Sequence, residues 1–232
     1  MDDALGLAEA VAGRADRVEL CAALGLGGLT PSVGLMEVAA GCGVPVMAMI
    51  RPRAGGFEYG AAEVAVMKAD IRAVRAAGLA GVVLGAVRGN GLDAAVLGEL
   101  VAEAGGLDLT LHRAVDLVRD VEAAVEVAVG LGFRRVLSSG GARLAVEGVA
   151  RLEVMLRVAR GRLVVMPGSG VAVSTWPTLA GLGCREVHAS CSVAVGGKVD
   201  AFGFVTGAER RTDRGRVAAL KAVLAASSSG RF

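Results

Sequence analysis

The chain has two histidines, and each sits near the end of a short apolar run that carries other polar side chains: Leu109-Thr110-Leu111-His112-Arg113 and Glu186-Val187-His188-Ala189-Ser190. Two further runs share this character, Arg17-Val18-Glu19-Leu20-Cys21 and Met49-Ile50-Arg51-Pro52-Arg53. A strand buried on both faces should be near-continuously apolar. An ionisable group inside one is therefore costly unless it is paired or faces a polar cavity. Glu19, His112, Asp116 and His188 are side chains able to exchange protons, and we take them as candidate acid/base groups. Arg51, Arg53 and Arg113 offer planar forks suited to a carboxylate or phosphate. Gly168-Ser169-Gly170, Ser138-Ser139-Gly140-Gly141 and Ser190 could supply backbone N–H groups and hydroxyls to an anion. From these loops Ser139, Gly168, Ser169, Gly170 and Ser190 join the candidate binding set. Blander readings stand beside each: Gly-Ser-Gly also makes a tight turn, Glu19 also suits an ion pair with Arg51, and Arg51-Pro52-Arg53 also suits a rigid strand exit.

These residues need elements to position them. Apolar or β-branched runs recur near Val18, Val46, Val82, Leu109, Val136, Val164 and Val187, about 23 to 35 residues apart, the size of one strand–helix unit. Between them the pattern predicts helices over 61–77, 94–104, 121–131, 145–160 and 174–182. Gly78, Gly105, Gly132, Gly161 and Gly183 stand at their ends as C-caps. Ser174 is placed to cap the last, with Pro177 early in it. Alternating strands and helices imply a mainly parallel sheet, and seven or eight units favour a closed TIM-type (β/α)8 barrel formed by a single domain, 1–232.

Alternation along each strand then turns Arg17, Glu19 and Cys21 inward with Thr110, His112, Glu186, His188 and Ser190, and puts Arg51 on the face of Met47 and Met49. Both histidines fall at C-terminal strand ends, where barrel sites are built. Glu19, Arg51, His112 and His188 are expected to gather at that mouth.

Composition narrows the class. Of 232 residues 54% are hydrophobic but only 3% aromatic, so the core is packed by small aliphatics. A net charge of +2 with no dense basic block does not point to nucleic acid. Cys21, Cys42, Cys184 and Cys191 form no CxxC pair and no zinc spacing, and in the absence of a secretory leader they read as reduced thiols. The longest uncharged run, 163–184, is broken by Pro167, Pro177 and glycines, which argues against a membrane span. The expectation is a cytoplasmic protein with a tail over 225–232.

The runs Ala15-Asp16-Arg17-Val18-Glu19-Leu20-Cys21, Gly27-Gly28-Leu29-Thr30-Pro31-Ser32 and Ile50-Arg51-Pro52-Arg53, with the two histidine runs, resemble the CutC family, described as copper-homeostasis proteins. The resemblance covers residues 2–224. It implies a first strand ahead of the opening helix, carrying a Glu and often a Cys, which this sequence lacks. The barrel is thus expected to be missing or truncated in its first strand. An open edge between the Val18 and Val187 runs invites association, so a homo-oligomer is expected. The family usually has Ala at the position of Ser169 and Thr at that of Ser138. It also implies copper involvement, with Cys21 at the position of the family's strand cysteine. Cu(I) prefers thiolate and thioether ligands. Met47 and Met49 neighbour Cys21, though methionine inside a barrel often serves as core filler. Cys191 lies on the mouth side and is a possible partner to Cys21. Cys42 and Cys184 fall toward the opposite face.

Three readings remain. One is a copper-homeostasis protein binding Cu(I) at Cys21. Another is a barrel enzyme using the acid/base set on a small anionic phosphate or carboxylate. The third is a scaffold whose pocket is filled by its own side chains. Lys68, Lys198 and Lys221 lie off the strands, which disfavours Schiff-base chemistry.

Overall fold

Six of the seven expected strands pair in one parallel sheet. The structure, a computed structural model, describes residues 1–196 and 210–229. The elements in chain order are α1 (Ala4–Ala12), β1 (Val18–Leu20), α2 (Val33–Ala40), β2 (Val46–Met49), α3 (Ala61–Ala76) and β3 (Gly81–Leu84). A small hairpin follows, β4 (Val87–Arg88) with β5 (Gly91–Leu92), then α4 (Ala94–Ala104), β6 (Asp108–Leu111), α5 (Val121–Gly130) and β7 (Arg135–Ser138). The chain continues through α6 (Val149–Ala159), β8 (Val164–Pro167), α7 (Trp176–Ala180), β9 (Ser192–Ala194), β10 (Arg210–Thr212) and α8 (Arg214–Ser229). The sheet order is β1-β2-β3-β6-β7-β8, every neighbouring pair parallel. This is a (β/α)8-type barrel wall left open along one seam.

The strand alternation divides the core in two. Val18, Leu20, Ala48, Val82, Leu84, Leu109 and Leu111 face outward and pack under the helices in the main apolar cluster. Cys21, Met47, Met49 and Val83 face inward and form a separate one. The helices begin where short polar side chains can cap them: Asp3, Ser32, Asp93 and Asp120 accept from the backbone N–H three residues on. All five glycines expected as helix stops have φ between 53° and 82°, the left-handed region where a Cβ is penalised.

At the seam, the Val187 run is not a strand. It makes one ladder-like bond, His188 N–H to the Pro167 carbonyl (2.9 Å), and among the described residues no strand flanks its other side to continue the ladder. On the opposite edge Met1 takes that place, its ammonium donating to the Glu19 carbonyl (2.8 Å) and its carbonyl accepting from Cys21 N–H (2.8 Å). Ions close the N-terminal end: Glu186 Oε2 accepts from Arg17 (2.6 Å) and Arg135 (2.8 Å), and Arg135 also holds Asp108 (2.7 Å). Outside, α8 covers the seam. It pairs Arg214 with Glu9 and Lys221 with Asp16 on the α1 side, while Trp176 of α7 donates to Ser227 (2.8 Å).

Three local expectations are corrected. The predicted helix over 145–160 is a 3-10 turn (Ala145–Glu147) followed by α6, because Gly148 packs so tightly on the Ser139 carbonyl that a Cβ would stand 1.9 Å from it. Thr175, not Ser174, occupies the N-cap of α7. The expected tail is helical through Ser229, as the end of α8.

Candidate functional site

The inward side chains fit because glycines stand opposite them. A Cβ on Gly28 would lie 3.2 Å from Cys21 Sγ, one on Gly81 2.4 Å from Met47 Cε, and one on Gly85 2.6 Å from the His112 ring. Two groups result at the C-terminal mouth.

The first group is Glu19, Cys21 and His188. Cys21 is 1% exposed and its thiol lies 3.7 Å from Glu19 Oε1, while Glu19 Oε2 lies 3.9 Å from His188 Nδ1. Burial, reinforced by the negative charge of Glu19, pushes the Cys21 thiol far above its ordinary pKa. The sequence left an Arg51–Glu19 pair open, but Glu19 faces His188 instead.

The second group is Arg51, Phe57 and His112. Register extension from Met49–Val83 and Leu84–Leu111 puts Arg51, Gly85 and His112 in one row across β2, β3 and β6. With no side chain at Gly85, both charged and imidazole groups reach the Phe57 ring. The Arg51 guanidinium carbon is 5.0 Å and the His112 ring centroid 4.7 Å from its centre. Arg51 is 6% exposed and donates to the carbonyls of Leu26 (2.9 Å), Gly28 (3.0 Å) and Gly55 (2.8 Å). It therefore ties the loop after β1 to the loop after β2. His112 is 3% exposed, and its Nδ1 accepts from Ala114 N–H (3.1 Å), so Nε2 carries the ring proton. Burial, helped by nearby Arg51, lowers its pKa to about 4, and it is neutral at pH 7.

The other candidates brace loops. Asp116 fills an anion cradle: one oxygen accepts from Ser138 Oγ (2.5 Å) and Gly141 N–H (3.1 Å), the other from Arg113 (2.7 Å) and Ser139 Oγ (2.9 Å), with Ser139 N–H near both. Burial raises its pKa, but these donors outweigh it and the net shift is downward. Arg113 also donates to Ser139 Oγ (2.7 Å). Arg53 pairs with Glu63 and donates to the carbonyls of Gly56 and Glu58. Ser169 has φ 78° and donates to the Arg143 carbonyl (2.7 Å). Gly168 lies against Leu137 and His188, and Gly170 against Leu144. Ser190 is exposed and meets Ser192 (3.1 Å). Cys191 is a free thiol whose carbonyl accepts from Asp213 at the foot of α8. Lys68 and Lys221 hold surface carboxylates, and Lys198 lies outside the described residues. Phe57 was missed in the sequence. Its signal is an aromatic directly after Gly55-Gly56 in a loop leaving a strand, with Tyr59 two residues on.

An open parallel barrel with a polar mouth and a sulfur-lined interior defines the class. The CutC family model matches residues 1–193. A Sinorhizobium medicae protein described as a CutC family protein is 54% identical over 229 residues, covering 97% of this chain and 94% of its own. The Homo sapiens protein named copper homeostasis protein cutC homolog is 44% identical over 181 residues, covering 77% of this chain and 66% of its own. Among solved structures, CutC from Streptococcus agalactiae superposes with a TM-score of 0.72 at 30% identity, covering 75% of this chain and 88% of that one. The chain belongs to the CutC family. Among the described residues no helix is long and apolar enough to cross a membrane.

Proposed function

We propose that this chain serves copper homeostasis by taking Cu(I) as cargo at Cys21, with the thioethers of Met47 and Met49 beside it. The carrying observation is the inward cluster of Cys21, Met47, Met49 and Val83, in which three of four side chains bear sulfur. Thiolate and thioether together are the donor set that soft Cu(I) selects over harder ions. Among the described residues no three His, Cys, Asp or Glu side chains converge on one point, so this reading leans on the methionines. The Cys21 thiol is held protonated, and the ion must displace that proton to bind. The copper named for the human relative supports the same reading. We place the protein in the cytoplasm, and propose that copies associate through apolar side chains left exposed on α1 and α2, Leu5, Val33 and Val38.

Competition against a Cu(I) chelator tests the assignment. Cys21→Ser should lose most Cu(I) affinity, because a hydroxyl is a poor soft-metal ligand, and Met47→Leu with Met49→Leu should weaken it further. Unchanged affinity in Cys21→Ser would overturn the site. A small-anion enzyme is the weaker reading, since Arg53, Arg113 and Asp116 are occupied by the protein's own groups.

A further inference from the structure

Buried polar groups are almost always hydrogen-bonded, so each exception calls for a partner. Two exceptions share the inner face of the β6 strand and its exit. Thr110 Oγ1 and His112 Nε2 make no hydrogen bond, although the residues are 2% and 3% exposed. They stand two positions apart and point to the same side of the sheet. The Nε2–H of His112 is a fixed donor, since its Nδ1 is already committed to Ala114 N–H. Such a nitrogen cannot ligate a metal without surrendering that proton, which sets His112 apart from the sulfur site.

Charge points the same way. Across Gly85, Arg51 carries a full positive charge at 6% exposure, satisfied by three carbonyls and faced by an aromatic ring. Among the described residues no carboxylate pairs with it. Its Nε and the Tyr59 hydroxyl are also buried without a hydrogen-bond partner. A buried cation without a counter-ion is strongly disfavoured. Two unpartnered N–H groups, an unpartnered hydroxyl and an unpaired positive charge on this inner face call for an anion.

We infer that Thr110, His112 and Arg51 form a binding site for the carboxylate of a small molecule, bordering the copper cluster at Met49 and lidded by Phe57. The donor count suits a small carboxylate. Arg51 keeps its Nε–H and one Nη2–H uncommitted, and with the His112 Nε2–H and the Thr110 hydroxyl these match the lone pairs of two planar carboxylate oxygens. Apolar Met49 and Val83 flank Thr110 in the strand register and would meet the hydrocarbon end. The cavities beside the 51–60 loop, one lined by Tyr59, Val87, Arg88 and Asp93 and another by Pro52, Arg53, Glu63 and Val66, include neither Thr110 nor His112 in their lining. Entry therefore requires that loop to lift Phe57, with Gly55 at φ 88° as its bend.

The imidazole nitrogens report directly on this site. The chain has two histidines, so a His188→Gln variant assigns the spectrum. At constant ionic strength, acetate should shift the His112 Nε2–H resonance saturably. Acetamide, its neutral isostere, should require about ten-fold more ligand, the factor expected from losing one charge-assisted contact. Thr110→Val, close in shape, should weaken acetate about ten-fold. A His112 signal that ignores acetate, or follows acetamide equally, overturns the inference. So does an unchanged acetate affinity in Thr110→Val, and the acetate–acetamide comparison stands on the unmutated chain alone. Copper affinity in Thr110→Val should match the parent, so failure here is distinguishable from failure of the copper site.

Discussion

Arg17 and Glu186 meet across the open seam of the sheet at 2.6 Å, joining the start of β1 to the segment after α7 where backbone pairing is missing. Glu186 serves Arg135 as well, so one carboxylate spans two of the barrel's walls. Glu186→Gln should destabilise the chain by about 1–3 kcal/mol, between the values for exposed and buried pairs because the side chains are partly exposed. Urea denaturation at low and high salt checks this, and the difference should shrink as salt screens the pair.

His112 makes stability depend on pH. Its folded pKa is about 4, below its ordinary value of 6.5. Between those limits the unfolded chain binds a proton that the folded chain refuses, so stability falls as pH drops through 6.5 toward 4. The slope from this group approaches 1.4 kcal/mol per pH unit within the window. His112→Phe should flatten that part of a stability–pH curve measured by denaturant titration. A curve of unchanged shape would show that another group controls the acid limb.

Gly85→Ala places a Cβ 2.6 Å from the His112 ring and 3.0 Å from Ala114 Cβ. The imidazole must swing away from its Ala114 bond. The expected cost is about 1–3 kcal/mol, typical of overpacking, with a rise in the His112 pKa readable by NMR titration.

Asp116→Asn replaces an acceptor by a group that is half donor inside a cradle made of donors. Loss of about 2–4 kcal/mol is expected from the stranded N–H and O–H groups and the unpaired Arg113. Thermal melting of the variant measures it, and a change within error would mean the loop repacks around an amide.

Much of this was legible in the sequence for one reason. In a parallel strand covered on both faces, a polar residue stands out, and the two-residue period fixes its direction. That placed Glu19, Cys21, His112 and His188 correctly toward the mouth. Partners were not legible in the same way. Arg51, Arg53 and Arg113 have the charge of anion clamps, yet their partners arrive from loop carbonyls and from Asp116, whose return path no periodicity encodes. The Ser138–Gly141 run was read as an anion site, and it does hold an anion, the chain's own Asp116. Val187 looked like a strand because its composition is that of one, but the run meets β8 through one bond, His188 N–H to the Pro167 carbonyl. The β4–β5 hairpin was missed although Gly89-Asn90-Gly91 is a turn signal.

Copper K-edge absorption spectroscopy of the Cu(I)-loaded chain tests the central claim most directly, since it reads the atoms nearest the metal. The account predicts sulfur neighbours alone, from Cys21 with Met47 and Met49, and loss of the bound-copper signal in Cys21→Ser. Nearest neighbours of nitrogen or oxygen, or an identical spectrum from Cys21→Ser, would contradict it.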